Sequence, residues 1–252
     1  MRKLLLSSLF VLGCVKASYA QVLLPTGTTT LDFNSISSGL PTGFTVTTGA
    51  TASSLGTAAT FNTAQVAFTS TTGQFGNYAS ATGLTSASTT TAQNASTDRA
   101  VGLRQTGTFG DPGAAFNYNF ATTGNNLTSI SVDLMMLSVQ GRSTTFSLQY
   151  GIGPAPTSFV TLGTYADPGT FGTTAFSFTA TDFGTALNDV PNATFRVVAL
   201  AAATGSNSRD TVALDNLTFN TVAVPEPSSY VLLFGAMGMM ALVICRKTAV
   251  RT

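Results

Sequence analysis

The chain has 252 residues, 44% hydrophobic and 10% aromatic but only 8% charged, with 11 Lys and Arg against 10 Asp and Glu for a net charge of +1. It contains no histidine and no tryptophan, and its two cysteines are Cys14 and Cys245, which excludes Ser-His-Asp and Cys-His catalysis and metal sites built on imidazole. Between Gln21 and Val224 there are nine Asp and five Arg with no Lys or Glu, so this stretch lacks the basic patch that a phosphate backbone requires and nucleic acid is excluded as a partner class.

The N-terminus begins with a basic pair, Arg2 and Lys3, followed by an apolar run from Leu4 to Val15 interrupted by Ser7, Ser8 and Gly13. Ser18-Tyr19-Ala20 places small residues at the two positions that a signal peptidase reads, so the sequence predicts a secretory signal peptide over residues 1–20, cleaved after Ala20. Val11-Leu12-Gly13-Cys14 offers a lipoprotein cleavage box as the alternative, with Leu12 a poor fit where a small residue is preferred. Both cysteines then lie in targeting segments, and the remaining domain, about 200 residues long, is large enough to fold on a hydrophobic core without disulfides.

From residue 21 to 223 the pattern is β throughout, with no convincing helix. Short runs rich in β-branched and aromatic residues alternate with Gly, Asn, Asp and Pro. Leu31-Asp32-Phe33 opens the domain, a turn follows at Ser37–Gly43, and Phe44–Thr47 is a strand. Ala58–Phe61 and Gln65–Phe68 are weaker strand candidates, and residues 71–97, rich in Ala, Thr, Ser and Gly, read as a long loop or a low-complexity insertion. Arg99–Arg104 is a short strand. Ala115–Phe120 alternates with Phe116, Tyr118 and Phe120 on one face. Leu127–Leu137 has the clearest alternation, with Ile130, Val132, Leu134 and Met136 opposite Ser131 and Asp133. Thr144–Tyr150 turns Phe146, Leu148 and Tyr150 inward. Phe159–Tyr165 and Ala175–Thr179 follow, Thr194–Ala202 is nearly all apolar as for a strand covered on both faces, and Thr211–Phe219 closes the domain. Strands at this spacing without intervening helices predict an antiparallel β-sandwich, in the form of a jelly roll. A β-solenoid is the alternative, and no fixed-period repeat supports it.

The last 29 residues, 224–252, form a tail in three parts. Val224-Pro225-Glu226-Pro227-Ser228-Ser229 is a polar hinge whose prolines cannot continue a sheet. Tyr230–Cys245 is an uncharged apolar run, about 24 Å long as a helix and short against a bilayer core of about 30 Å. Arg246, Lys247 and Arg251 form a basic stop, which by the positive-inside rule sets that end in the cytoplasm. A plain C-terminal membrane anchor has the same parts. Their fixed order resembles the PEP-CTERM sorting signal of Gram-negative bacteria, the matching residues being Val224 to Ser229, the apolar run and Arg246-Lys247. That resemblance implies recognition by a membrane-embedded exosortase, cleavage near the motif, and export linked to an extracellular polysaccharide matrix. A second resemblance lies in Leu31-Asp32-Phe33, Leu40–Phe44, Asp98–Leu103, Arg209-Asp210 and Leu214–Leu217, which look like segments of the jelly-roll ectodomains carried by such proteins.

Few residues suggest a ligand site. Asp210, Asp215 and Asn216 together offer oxygens for a structural Ca²⁺; the alternative is that Arg209-Asp210 caps a turn and Asp215 pairs with an arginine across the sheet. Arg99 and Arg104 are suited to an anionic glycan or to pairing with Asp. Tyr118 and Tyr150 alternate with core residues, whereas Tyr78 and Tyr165 are read as freer rings that could stack on sugars. Sequons begin at Asn94, Asn126, Asn192 and Asn216 and carry little weight in a bacterium. The acids of the domain are all Asp with no recognisable catalytic pair, so the expectation is a non-enzymatic structural or adhesive protein without a cofactor. A carbohydrate-binding module on the same fold is the alternative.

Overall fold

Period-two alternation dominates the sequence, and the computed structural model, which describes residues 20–225, resolves it into sixteen strands and two short α-helices. In chain order the strands are β1 (Val22–Leu23), β2 (Gly27–Leu31), β3 (Phe44–Thr48), β4 (Thr57–Ala58), β5 (Phe61–Val66), β6 (Gln74–Ala79), β7 (Arg99–Arg104) and β8 (Ala115–Ala121). They continue as β9 (Asn125–Ser138), β10 (Arg142–Ser143), β11 (Phe146–Ile152), β12 (Val160–Tyr165), β13 (Gly172–Thr179), β14 (Ala193–Val198), β15 (Thr204–Gly205) and β16 (Thr211–Ala223). The helices are α1 (Thr90–Ala95) and α2 (Ala180–Phe183). The expected signal peptide before Ala20 and the tail beyond Pro225 lie outside the described residues.

Two seven-stranded sheets face each other. Sheet I has the order β12-β11-β14-β8-β3-β4 with β1 also pairing β8, and sheet II has the order β13-β9-β16-β7-β6-β5 with β2 also pairing β16. The chain passes from β7 (sheet II) to β8 (I), β9 (II), β11 and β12 (I), β13 (II), β14 (I) and β16 (II). Within the sheets these eight strands lie as β7-β16-β9-β13 and β8-β14-β11-β12. Two interlocked Greek keys of this kind define a jelly roll. The pairings are antiparallel except β1 with β8 and β5 with β6, so the β-solenoid alternative is set aside.

The main core fills the space between the sheets. Ile130, Val132, Leu134 and Met136 of β9 pack there with Phe116, Tyr118 and Phe120 of β8, Phe146, Leu148 and Tyr150 of β11, and Phe195 and Val197 of β14. The Phe219 ring is 4.9 Å from Phe120 and 5.3 Å from Tyr118, centroid to centroid. On β16, Leu214 and Leu217 both face this core although they are three residues apart. A bulge at Asp215-Asn216, with Asn216 at φ 50°, absorbs the extra residue and restores the phase.

A second, smaller core covers the outer face of sheet II. Tyr78, Ala100, Met135, Leu137 and Ala213 are buried there beneath Val66 and Phe68. The segment that supplies this cover corrects the expectation of a loop over 71–97. β6 pairs with β7 at all six of its positions, and five of those six residues are buried. α1 follows, its N-cap Thr89 accepting from the Ala92 amide. Inside α1 the buried Gln93 carboxamide accepts from Phe68 N at 2.8 Å and donates to Ser88 O at 2.7 Å, while Gln65 of β5 donates to Asn94 O at 2.9 Å and Arg99 of β7 to Gln93 O at 3.0 Å, which fixes the helix to sheet II. Both helices depart from the expectation of none; the second, α2, is a single turn closed by a Thr179–Asp182 capping box. β14 ends at Val198, four residues short of the apolar run, while β16 continues to Ala223, four beyond the expected Phe219.

Candidate functional site

The structure does not bring the proposed calcium residues together. Asp210 and Asp215 are five positions apart on one extended segment, about 16 Å at strand rise, and among the described residues no group of three or more His, Cys, Asp or Glu side chains is placed to hold a metal ion. Asp210 does hold a turn, its Oδ1 accepting from Gln140 N at 2.6 Å, but Oδ2 is buried without a partner. Burial pushes its carboxyl up to about 6 against the pull of the Gln140 amide. Asp215 is fully buried on the outer side of sheet II, with Oδ1 accepting from Asn216 N at 2.8 Å and Oδ2 unpartnered. Its carboxyl is pushed up to about 7, by burial first and then by Asp98 and Asp133. The expected cross-sheet arginine is absent because the register partner of Asp215 is Asp133. Asn216 spends its amide on Asp133 Oδ2, at 3.0 Å.

Tyr78 and Tyr165 are not free rings. Tyr78 is 0% and Tyr165 1% exposed, and both hydroxyls lack partners. Tyr78 lies flat on β7, where Gly102 has no side chain to displace it, and Tyr165 sits beside Phe146 and Phe176. Neither offers a face to a sugar. Tyr118 and Tyr150 are core residues, as the alternation indicates.

Arg99 and Arg104 are also buried, and neither pairs with an aspartate. Arg99 donates to Asn77 Oδ1 at 2.7 Å, Asn77 O at 2.9 Å and Gln93 O at 3.0 Å, so it ties β7 to β6 and α1 rather than facing solvent. Arg104 donates to Thr211 Oγ1 at 3.0 Å. The ion pair among the described residues is Arg209 with Asp111.

The most unusual polar arrangement is on the outer face of sheet I. Thr45 of β3, Asn117 of β8, Arg196 of β14, Gln149 of β11 and Thr161 of β12 are successive register partners, forming one polar row across five strands. Arg196 is fully buried, and burial lowers its guanidinium to about 10. Its Nε donates to Gln149 Oε1 at 2.9 Å, and Gln149 Nε2 donates to Thr161 Oγ1 at 2.9 Å. Two segments roof the row. Ser54 O accepts from Arg196 Nη1 at 2.9 Å, and the Phe159 ring lies 3.3 Å from Arg196 Cζ. Gly151 lets the second segment lie flat, since a Cβ there would meet Pro156 Cβ at 2.6 Å and the Phe159 ring at 2.8 Å. Arg196 Nη2 and Asn117 Oδ1 remain without partners. A cleft of about 200 Å³ opens between Ser53–Gly56 and Ala155–Thr157. The row has one signal in the sequence, the single charge of Arg196 inside the nearly all-apolar Thr194–Ala202 run.

The other functional element is the junction with the tail. β16 pairs with β9 as far as Ala223 opposite Asn125, and Val224 N then donates to Gly124 O at 3.0 Å. Pro225 is the last described residue; Glu226, Pro227, Ser228, the apolar run 230–245 and the basic Arg246, Lys247 and Arg251 lie beyond. No helix among the described residues is long and apolar enough to cross a membrane.

No curated protein matches the chain. Among solved structures, it is similar to a protein described under "CBM4 structure and function" (13% identity, TM-score 0.33, covering 48% of this chain and 70% of that one). It is also similar to the mannan-recognising carbohydrate-binding module TmCBM27 (11% identity, TM-score 0.32, covering 51% and 76%). A third is a family 11 carbohydrate-binding module from Clostridium thermocellum in complex with a β-1,3-1,4-mixed-linked tetrasaccharide (10% identity, TM-score 0.37, covering 81% and 100%). At these TM-scores the likenesses carry no argument about a ligand. Residues 223–247 match the PEP-CTERM protein-sorting motif, so a recognised sorting signal begins where the last strand of the jelly roll ends.

Proposed function

We propose that the chain is an exported, surface-sorted, non-enzymatic jelly roll of the extracellular polysaccharide matrix or cell envelope of a Gram-negative bacterium, with a structural or adhesive role. Residues 1–20 direct secretion. Residues 224–252 hold the chain in the membrane through Tyr230–Cys245 until an exosortase processes it near the Val224–Ser228 motif. The observation that carries this reading is the sorting motif abutting the two-sheet sandwich, which supports reading the sandwich as the delivered cargo. The lack of histidine anywhere, and of cysteine between residues 21 and 223, removes the usual nucleophile–base pairs and supports the non-enzymatic reading. The test is expression in a host with and without an exosortase. Loss of the enzyme leaves the chain at higher mass in the membrane fraction; identical mass and location in both hosts would remove the sorting role.

A second reading is a carbohydrate-binding module on the same fold. It is favoured by the hydroxyls at the two ends of the polar row on sheet I, half-buried Thr45 and exposed Thr161, which are the kind of group that binds sugar hydroxyls. Binding to any polysaccharide, lost on replacing residues of the row, supports it.

A further inference from the structure

The sandwich ends differently at its two sides. On one side the strand edges are blunted. β4 is two residues long, and β5 runs parallel to β6, breaks register between Asn62 and Gln65, and is tied to α1 by Gln65 Nε2 donating to Asn94 O at 2.9 Å. On the other side β12 lies over β13, with Tyr165 and Phe176 edge-to-face at 6.2 Å. β12 carries a bulge, since Leu148 and Gln149 pair with Gly163 and Thr161 and leave Leu162 over. β13 has none of these devices. Its eight residues pair with β9 in unbroken register, from Gly172 opposite Met136 to Thr179 opposite Ser129, and none is charged or proline. It is the longest of the four strands that end the two sheets. Among the described residues no other strand or loop pairs with it, so alternate N–H and C=O groups along a regular edge are open.

The side chains on this side are incompletely covered as well. Phe176 of β13 and Leu162 of β12 pack on the core only half-buried, and Val160 is 48% exposed, so an apolar rim runs beside the open edge. We propose that β13 pairs antiparallel with β13 of a second copy of the chain, so that sheet II runs through a two-fold axis into its partner. A second copy fits on two counts. The edge carries no charge for a different partner to complement, and between Gln149 and Asp182 the only charge is Asp167, so the acidic domains do not repel each other there. A head-to-tail contact would need an equally open edge elsewhere, and β4, β5 and β12 are short, interrupted or bulged. The pairing therefore closes at two copies instead of growing into a filament. For the two faces of the sheet to stay continuous, residues of like parity must oppose each other. Phe176 and Phe178 then share a row with their counterparts, and Ala175 and Ser177 share another. The same axis, normal to the sheets, sets β12 beside its copy and covers Leu162 and Val160. The contact lies wholly in the sandwich and stands whether or not the tail is processed.

The test is analytical ultracentrifugation of the full chain in density-matched neutral detergent, over about 1–100 μM, the range in which a contact of modest area associates. The wild type forms dimers and nothing larger. Ala175→Lys/Ser177→Lys sets like charges opposite one another in either symmetric register. Both positions are exposed, so the melting temperature at monomeric concentration holds while the dimer dissociation constant rises at least about tenfold. Ala175→Asp/Ser177→Asp behaves alike, and an equimolar mixture of the two variants restores dimers with one copy of each. Hydrogen exchange gives a reading free of any substitution: wild-type amides of Gly172–Thr179 exchange more slowly at dimeric than at monomeric concentration. A monomeric wild type, oligomers beyond two, or β13 amides that gain no protection on association overturns the proposal. So does a dimer that survives both variants, as association through the apolar tail would, or a mixture of folded variants that stays monomeric.

Discussion

Asp215→Asn is expected to make the protein more stable at neutral pH, and the effect should vanish in acid. Asp215 is fully buried, one carboxylate oxygen has no partner, and Asp98 and Asp133 are the charged groups closest in effect. Its carboxyl is raised from 3.8 to about 7. Between those values the folded chain keeps a proton that the unfolded chain has lost. Stability therefore falls as pH rises through that interval and levels off above about 7. The full penalty is at most about 4 kcal/mol, of which about 2 kcal/mol falls between pH 5 and pH 7. For a domain of this size that corresponds to a melting temperature on the order of 5–10 °C lower at pH 8 than at pH 5. Asp210, raised to about 6, adds a smaller decline of the same sign. Asp215→Asn keeps the acceptor for Asn216 N and removes the charge, so most of the decline disappears and only the Asp210 part remains. The assay is thermal denaturation followed by circular dichroism at pH 5, 6, 7 and 8, with a chelator present so that no adventitious cation neutralises the carboxylates. A wild-type melting temperature that is flat or rises over this range would refute the reasoning, as would an unchanged slope in the variant.

Gly102→Ala should destabilise strongly for its size. An added Cβ would lie 2.1 Å from Tyr78 Cδ2 and 2.7 Å from Cγ and Cε2, so the buried ring must leave its seat on β7. Overpacking of this kind costs about 1–3 kcal/mol, read as a drop of several degrees in melting temperature. Combined with Tyr78→Ala, the two losses should be less than additive, because the ring is already gone; additivity would mean the clash is not the cause. Phe219→Ala removes a ring packed on Tyr118, Phe120 and Phe195 and should cost about 3–5 kcal/mol in urea unfolding, against less than about 0.5 kcal/mol for an exposed control such as Thr173→Ala.

The sequence made the sandwich legible where a strand buries only one side. β8 and β11 alternate cleanly because one face meets the core and the other is polar. β9 alternates in the same way along Ile130–Leu134, and at Met135 and Leu137 its outer face turns apolar under the second core. β6 was not legible for a related reason. Phe75 enters the main core and Tyr78 the second one, so its apolar residues follow no single period, and Gly76 and Asn77 dilute what remains. α1 has no apolar stripe at all; the Gln93 side chain holds it, an interaction that composition does not reveal. Tyr78 and Tyr165 stand outside any clear alternation, yet strand pairing with β7 and β11 buries both. The bulge at Asp215-Asn216 likewise escapes a period-two reading, and with it the fact that Asp215 meets Asp133 rather than an arginine. Arg196 was hidden by its neighbours, since an apolar run suggests a covered strand and says nothing of what balances a charge within it. The sorting motif matched over 223–247 was legible because it depends on order and length in the sequence and not on tertiary packing.

The central claim is that the jelly roll is cargo delivered by its sorting tail, and the most direct measurement is the intact mass of the protein recovered from the surface or medium of an exosortase-bearing host. The account predicts an N-terminus at Gln21 and a C-terminus within 225–229, immediately after the last strand, with both cysteines removed. A surface protein that retains Tyr230–Cys245 and ends at Thr252 would contradict it and reduce the tail to a permanent anchor.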